Sequence, residues 1–336
     1  MKISKKEYIF LLFFLFDIFG CENKRDAIGA DNEIRVICSD VDKHNVRRFL
    51  EMVFNDTLFT PEPEPFYVLK FSTPNTYSKL KKQTNLIIAA IERDSVNPGL
   101  KLINRLLPNE QVKSMELNDP IILAENVNAN HQLFMVINAT SFSQLVKFVD
   151  KKRNYIRKIF NDQFIDRQSR FLFSKNNYNS LRDSLFLEFG WSIDLPWGWD
   201  IIKKVPDSNF VWLGKEMPYQ WIGVGWEKGN LVDNELNIGH YLWEWPKSHY
   251  RTIQFSDYKF KLKKSIYNKF IAWRATGIWE TLDIKESKGG PFRSYVFYDK
   301  KKDLTYHINY LIFYPGNSKS IFLRQADMIM KTFKNY

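Results

Sequence analysis

From residue 33 onward the apolar positions switch between two periods. Ile34, Val36 and Cys38 alternate over 33–39 and predict a strand. Val46, Phe49, Leu50, Val53 and Phe54 then fall at i, i+3, i+4, i+7 and i+8, one face of a helix over about 43–56. Pro61, Pro63 and Pro65 end it, and Phe66 to Ser72 reads as a strand again. After a short helix near 75–84, Leu86 to Ile91 is an unbroken apolar run of strand length, as in a central strand covered on both faces. Asn97-Pro98 supplies a cap and a first-turn proline for a helix carrying Leu102, Ile103, Leu106 and Leu107. Ile121 to Glu125 and Gln132 to Asn138 predict two strands. A long helix follows from Ser141 to about 173, with Phe142, Leu145, Val149, Ile156, Phe160 and Phe164 on its apolar face.

The second half has a different texture, because all ten tryptophans lie between Trp191 and Trp279. A helix near 179–189 precedes strand patterns around 191–195, 209–214, 219–227 and 239–245. Ser256 then caps a predicted helix over 256–271, along which Leu262, Ile266 and Phe270 recur every four residues. Strands near 277–286, 292–299 and 304–314 lead to a last helix with Phe322, Ala326, Ile329 and Phe333. The expected fold class is α+β, with two α/β-layered domains over 33–175 and 176–336. The C-terminal one is an antiparallel sheet flanked by helices.

The N-terminus reads as an address. Lys2, Lys5 and Lys6 precede an apolar stretch, Ile9 to Phe16, far shorter than the ~20 residues of a membrane span. Ile18-Phe19-Gly20-Cys21 resembles the lipobox of bacterial lipoproteins. That resemblance implies removal of residues 1–20 as a signal peptide and acylation of Cys21. Residues 21–32, poor in apolar side chains, form the expected tether. The protein is then lipid-anchored to a bacterial membrane, the outer membrane being the expectation, with its domains outside the cytoplasm. Cys38, the other of two cysteines, has no intramolecular partner and sits in an apolar strand, the setting of an inert buried thiol.

The formal net charge of +11 is clustered. Lys147, Lys151, Lys152, Arg153, Arg157, Lys158, Arg167 and Arg170 share the long helix, and Lys259, Lys261, Lys263, Lys264 and Lys269 form a second run. Outside the cytoplasm such a field meets lipid headgroups and envelope glycans, so nucleic acid is not an expected partner. Lys151, Lys152, Arg157 and Lys158 are the candidate contacts with an anionic surface. The alternative is a solvated helix face that keeps the chain soluble.

Pro63-Glu64-Pro65-Phe66, Asn209-Phe210-Val211-Trp212-Leu213, Gly289-Gly290-Pro291-Phe292, Tyr314-Pro315-Gly316 and Leu323-Arg324-Gln325-Ala326 occur in that order. Together they resemble a family of bacterial lipoproteins known only as a domain of unknown function, over about 33–334. The resemblance implies the lipoprotein address and no activity. Ser192-Ile193-Asp194-Leu195-Pro196 and the closing helix are similar, as a fold analogy, to the sandwich of photosystem extrinsic subunits.

Catalytic signatures are missing from the sequence. The five histidines have no i, i+4 pair, and His240 with His249 would need a third ligand from Glu244 or Asp233. There is no Gly-x-Ser-x-Gly elbow, Cys-x-x-Cys or phosphate loop, and Gly289-Gly290-Pro291 reads as a tight turn. No cofactor, metal or catalytic residue is therefore assigned. Tyr241, Trp243 and Trp245 alternate along the predicted strand and share one face, either a stacking platform for a glycan or peptide or part of the core. Tyr306, Ile308, Tyr310, Ile312 and Tyr314 make a second stripe, with the tyrosines expected to be half-buried and their hydroxyls at the rim. The expected function is a non-catalytic binding or assembly factor for an envelope protein or glycan, with a hydrolase of an envelope polymer as the alternative.

Overall fold

The computed structural model describes residues 24–91, 94–174, 179–283 and 285–336. The expected signal peptide and Cys21 lie outside them. The chain forms two compact units: residues up to Val53 with Val68–Gln163, and Phe54–Tyr67 with Phe164–Tyr336. The division thus falls inside the long helix rather than after it at 175, and the second unit also claims a short segment from far upstream.

The first unit holds strands β1 (Glu33–Cys38), β2 (Val68–Ser72), β3 (Asn85–Ala90), β4 (Ile121–Glu125) and β5 (Leu133–Asn138), and helices α1 (Asp40–Val53), α2 (Pro98–Leu106) and α3 (Asn109–Leu117). Helix α4 (Phe142–Phe173) begins in it. The sheet order is β2-β1-β3-β5-β4, parallel except for the β4–β5 hairpin. Every residue of β3 and β5 is buried, as expected of central strands whose two faces are both covered. Ile37, Leu86, Ile88 and Val136 pack with Leu102, Ile103, Val112 and Met115 of α2 and α3. Their alternates Val36, Ile87, Ala89 and Met135 point to the opposite face and are equally buried. Cys38 is buried, and desolvation with the nearby Asp42 charge pushes its thiol up to about 12, which makes it inert.

The described part of the expected tether, residues 24–32, is held by backbone pairing. Ala27 donates its N–H to the Asn130 carbonyl (2.8 Å), Ile28 donates to Lys82 (2.9 Å), and Lys24 Nζ reaches the Asn126 and Val127 carbonyls. Asp26 and Ile28 make parallel bridges to Asn130 and Gln83. Low apolar content misled here because this segment is held by backbone pairing rather than by side-chain burial.

The second unit is an all-antiparallel eight-stranded sheet of β6 (Asp200–Val205), β7 (Phe210–Lys215), β8 (Tyr219–Lys228), β9 (Ile253–Phe255), β10 (Lys261–Tyr267), β11 (Phe270–Thr281), β12 (Gly289–Asp299) and β13 (Leu304–Phe313). The order is β9-β11-β12-β13-β8-β7-β6, and β10 also pairs with β11. Helices α5 (Asn179–Phe189), α6 (Glu235–His249) and α7 (Ser320–Met330) complete the unit with the end of α4. Along β13, Tyr306, Ile308, Tyr310 and Ile312 enter one core with Leu323, Ala326 and Ile329 of α7. Leu311 enters the other, with Ile238, Leu242 and Trp245 of α6. The sheet is therefore sandwiched, and Tyr306 and Tyr310 are fully buried rather than at the rim.

Two elements depart from expectation. The 256–271 segment is the β10–β11 hairpin, turned at Asn268 (φ 51°), with Tyr267 opposite Phe270. Leu262 and Ile266, four apart, suit a helix face, but they are also same-face positions of a strand, and long-range pairing with β11 decides. Gly289-Gly290-Pro291 lies within β12 rather than in a turn. A Cβ on Gly290 would stand 2.0 Å from the Ile312 carbonyl oxygen, so close strand approach is what requires glycine there.

The upstream segment explains itself at α7. Glu64 accepts N–H bonds from Lys319 (2.8 Å) and Ser320 (2.9 Å) and the Ser318 hydroxyl (2.5 Å), capping a helix 255 residues away. A carboxylate at a helix N-terminus also meets the positive end of the dipole. One turn on, the Arg324 guanidinium stacks over Phe164 (3.2 Å), Phe66 (5.0 Å) and Tyr67 (5.1 Å). On the sheet side Asp327 pairs with the buried Arg293.

Candidate functional site

The proposed aromatic platform is not a strand. Tyr241, Trp243 and Trp245 lie on α6, where Asn234 accepts the Asn237 N–H (2.9 Å) as cap, and Ile238, Leu242 and Trp245 supply the buried face. Helical geometry turns successive odd residues about 200° apart. Trp245 is accordingly 2% exposed and in the core, while Trp243 is 39% exposed with Lys247 over its ring at 5.3 Å. The three residues share no face, so the stacking platform is withdrawn.

The four cations on α4 also fail to form one stripe. At about 100° per residue, Lys151 and Lys158 share a face, while Lys152 and Arg157 point well to either side. Lys151 and Lys152 are exposed, Arg157 is half-buried, and Lys158 pairs with Asp162 one turn on. That is the profile of a solvated helix back opposite the buried Leu145, Val149, Ile156 and Phe160.

Between α6 and the sheet lies a group of buried polar atoms. His307 of β13 is fully enclosed, its ring 4.0 Å (centroids) from Trp245 and 5.7 Å from Tyr241. Neither His307 ring nitrogen has a hydrogen-bond partner among the described residues, and the Tyr241 hydroxyl lies near Glu227 and Trp245. Desolvation, and then the nearby His249, hold the His307 imidazole far below its ordinary range, so it is neutral. His249 stacks on Trp245 at 4.5 Å and is likewise lowered by burial. Among the described residues no group of three or more His, Cys, Asp or Glu side chains is placed to hold a metal ion.

The opposite side of the sheet carries a cavity of about 510 Å³, within the 300–1,000 Å³ usual for small-ligand sites. The α7 wall is Phe322, Gln325 and Ile329, and the end of α4 adds Phe171 and Leu172. The loop before β6 adds Pro196, Trp197 and Trp199, and the β7–β8 hairpin adds Lys215, Met217, Pro218 and Gln220. Trp197 and Met217 are 71% and 90% exposed, so two large apolar side chains stand open to water at the mouth. Both sit in turns that hold them there: Gly198 at φ 85° carries the chain between Trp197 and Trp199, and Met217 itself is left-handed at φ 54°. An exposed apolar residue in a strained conformation is a recognised mark of a functional position.

Lys215 is the one charged side chain among the described residues of this lining, which also includes the Tyr314 phenol. A Cβ on Gly198 would lie 3.6 Å from Lys215 Cε, so the lysine stem runs along the Trp197–Trp199 turn. Its ammonium makes no hydrogen bond or ion pair to another described residue, and burial lowers its pKa. Gln220, buried beside it, accepts the Tyr310 hydroxyl at Oε1 (2.9 Å). The arrangement can bind an apolar group and neutralise a charge. The sequence reading did not single out these residues, although an apolar methionine in the short Glu216-Met217-Pro218 connection between two strands was the available signal.

Residues 234–332, from the residue before α6 through α7, match the family described as a domain of unknown function (DUF4837). No curated protein matches the chain by sequence. Among solved structures it is similar to the Saccharomyces cerevisiae Ran-binding protein Mog1p, with 10% identity over 44% of this chain and 90% of that one and a TM-score of 0.31. It is also similar to LpqN, described as involved in cell envelope biogenesis of Mycobacterium tuberculosis, with 10% identity over 43% of this chain and 82% of that one and a TM-score of 0.28.

Proposed function

We propose that this chain is a non-catalytic binding protein of the bacterial cell envelope, anchored through acylated Cys21, whose cavity beneath α7 takes up the apolar part of an envelope ligand. The supporting observation is the cavity itself: about 510 Å³, walled by aromatic and aliphatic side chains, with Trp197 and Met217 exposed at its mouth. Leaving two such side chains in water is unfavourable by about 25 cal/mol per Å² of apolar surface, and a bound apolar group removes that cost. The hydrolase reading gains no support from a lining in which no Asp, Glu, His or Cys stands among the described residues.

The test uses N-phenylnaphthylamine, a neutral probe that fluoresces in apolar surroundings. Emission should rise and saturate at one probe per chain, and Trp197→Ala and Met217→Ser, both at exposed positions, should each weaken binding about tenfold. No saturable binding, or binding untouched by both substitutions, rejects the cavity as the site. The anchor is checked separately by metabolic labelling with an alkyne fatty acid, which should mark the wild type and leave Cys21→Ser unmarked.

A further inference from the structure

We infer that the ligand of this cavity is an amphiphile with a single carboxylate, its chain between the aromatic walls and its head on Lys215. The inference rests on the reading of the cavity as a ligand site and adds the chemistry of what enters it.

The charge pattern of the lining carries the argument. Lys215 is the one cation, and no Asp or Glu lines the described cavity. A half-buried ammonium without a counter-ion among the described residues is an unfavourable arrangement that an incoming anion relieves. Lys215 is also held in place. It ends β7, is paired across the hairpin with Gln220, and its stem lies along the turn at Gly198. Because the Gln220 Oε1 already accepts the Tyr310 hydroxyl, the amide presents its N–H groups, a second donor for an anionic oxygen. One cation and one neutral donor suit the two oxygens of a monoanionic carboxylate. A phosphate monoester carries about −1.5 to −2 charge near neutral pH and would remain largely uncompensated in an apolar cavity. The lowered pKa of the lysine has the same origin, and a bound carboxylate would raise it again.

The experiment is competition for bound N-phenylnaphthylamine on the folded protein by three amphiphiles of equal chain length: dodecanoate, dodecanol and dodecyl phosphate. Dodecanoate should displace the probe at about one-tenth the concentration of dodecanol or less. Lys215→Met should bring the two to parity, and Lys215→Arg should keep the preference. Thermal melting of both variants confirms that they fold. Equal competition by dodecanoate and dodecanol in the wild type overturns the inference, as does a preference that survives in Lys215→Met. Tighter binding of dodecyl phosphate than of dodecanoate also overturns it, in favour of a phosphate head. Failure of the probe itself to bind would instead reject the cavity as a ligand site.

Discussion

Asn97 donates a side-chain N–H to Asp42 over 2.8 Å, and both residues are buried at the C-terminal ends of β1 and β3. Asp42 also accepts the Ser39 hydroxyl (2.7 Å) and the Ile91 N–H (3.2 Å), while Asn97 Oδ1 caps α2 through the Gly99 N–H (2.8 Å). Two side chains thus tie together a helix start and two strand ends. Asn97→Ala should cost about 2 to 4 kcal/mol, from a lost cap and an under-satisfied buried carboxylate. Asn97→Asp keeps the cap but sets a second carboxylate beside the first. Its deficit should shrink as pH falls through the carboxylate range, and urea midpoints at neutral and acidic pH measure both effects.

Trp245→Ala and Trp243→Ala should behave very differently, although the two residues are neighbours on α6. Trp245 fills the core against Phe210 and Tyr250, so its loss should cost about 3 to 5 kcal/mol. Trp243 meets water and the Lys247 ammonium, so its loss should stay within about 1 kcal/mol. Similar losses in chemical denaturation would contradict the helical placement.

His307 makes stability depend on pH. Its folded-state pKa lies well below 6.5, so above about pH 6.5 the imidazole is neutral in both states and its contribution is complete. As pH falls below 6.5 the unfolded chain takes up a proton that the folded chain refuses, and stability declines by up to about 1.4 kcal/mol per pH unit. His249, lowered as well, adds in the same direction. Denaturation between pH 7.5 and 5 should show the wild type losing more than His307→Phe. Equal slopes would mean that the folded imidazole takes up its proton over the same pH range as the unfolded one.

Asp327 pairs with Arg293, whose guanidinium is lowered to about 10 by burial and by the neighbouring Arg274. Asp327→Ala strands that buried cation and should cost about 3 to 5 kcal/mol. Replacing the pair together, Arg293→Met with Asp327→Leu, should recover part of the loss, because the fully buried cation goes and only the more exposed Arg274, 3.9 Å from Asp327, loses its carboxylate. Calorimetric midpoints of Arg293→Met, Asp327→Leu and the double variant give the coupling directly.

The first unit was legible because its signals agree. Leu86 to Ile91 reads as a central strand and is one, Gln132 to Asn138 reads as a strand and is one, and Asn97-Pro98 starts a helix where its side chain caps one. The second unit misled where one pattern served two periods. Tyr241, Trp243 and Trp245 alternate like a strand, yet Ile238, Leu242 and Trp245 follow the helical spacing, and Asn234 caps it. Leu262, Ile266 and Phe270 erred in the opposite sense, since only pairing with β11 distinguishes a hairpin from a helix there. The cavity was hidden for another reason. Its walls come from α4, the loop before β6, the β7–β8 turn and α7, so no local window of sequence contains it.

The cap that Glu64 places on α7 has a consequence for the order of events during synthesis. Every residue of the first unit exists once the ribosome reaches Gln163, but the Glu64 carboxylate and the Phe66 ring do not meet their α7 partners until Ser318 to Arg324 is made. At roughly 5–20 residues per second that wait is on the order of 10–50 s. The last helix therefore completes the second unit by engaging a segment made near the beginning of synthesis, already paired locally through Thr57–Pro65 and Leu58–Glu64. A shortened chain that starts after Tyr67 would be born without the carboxylate its final helix needs.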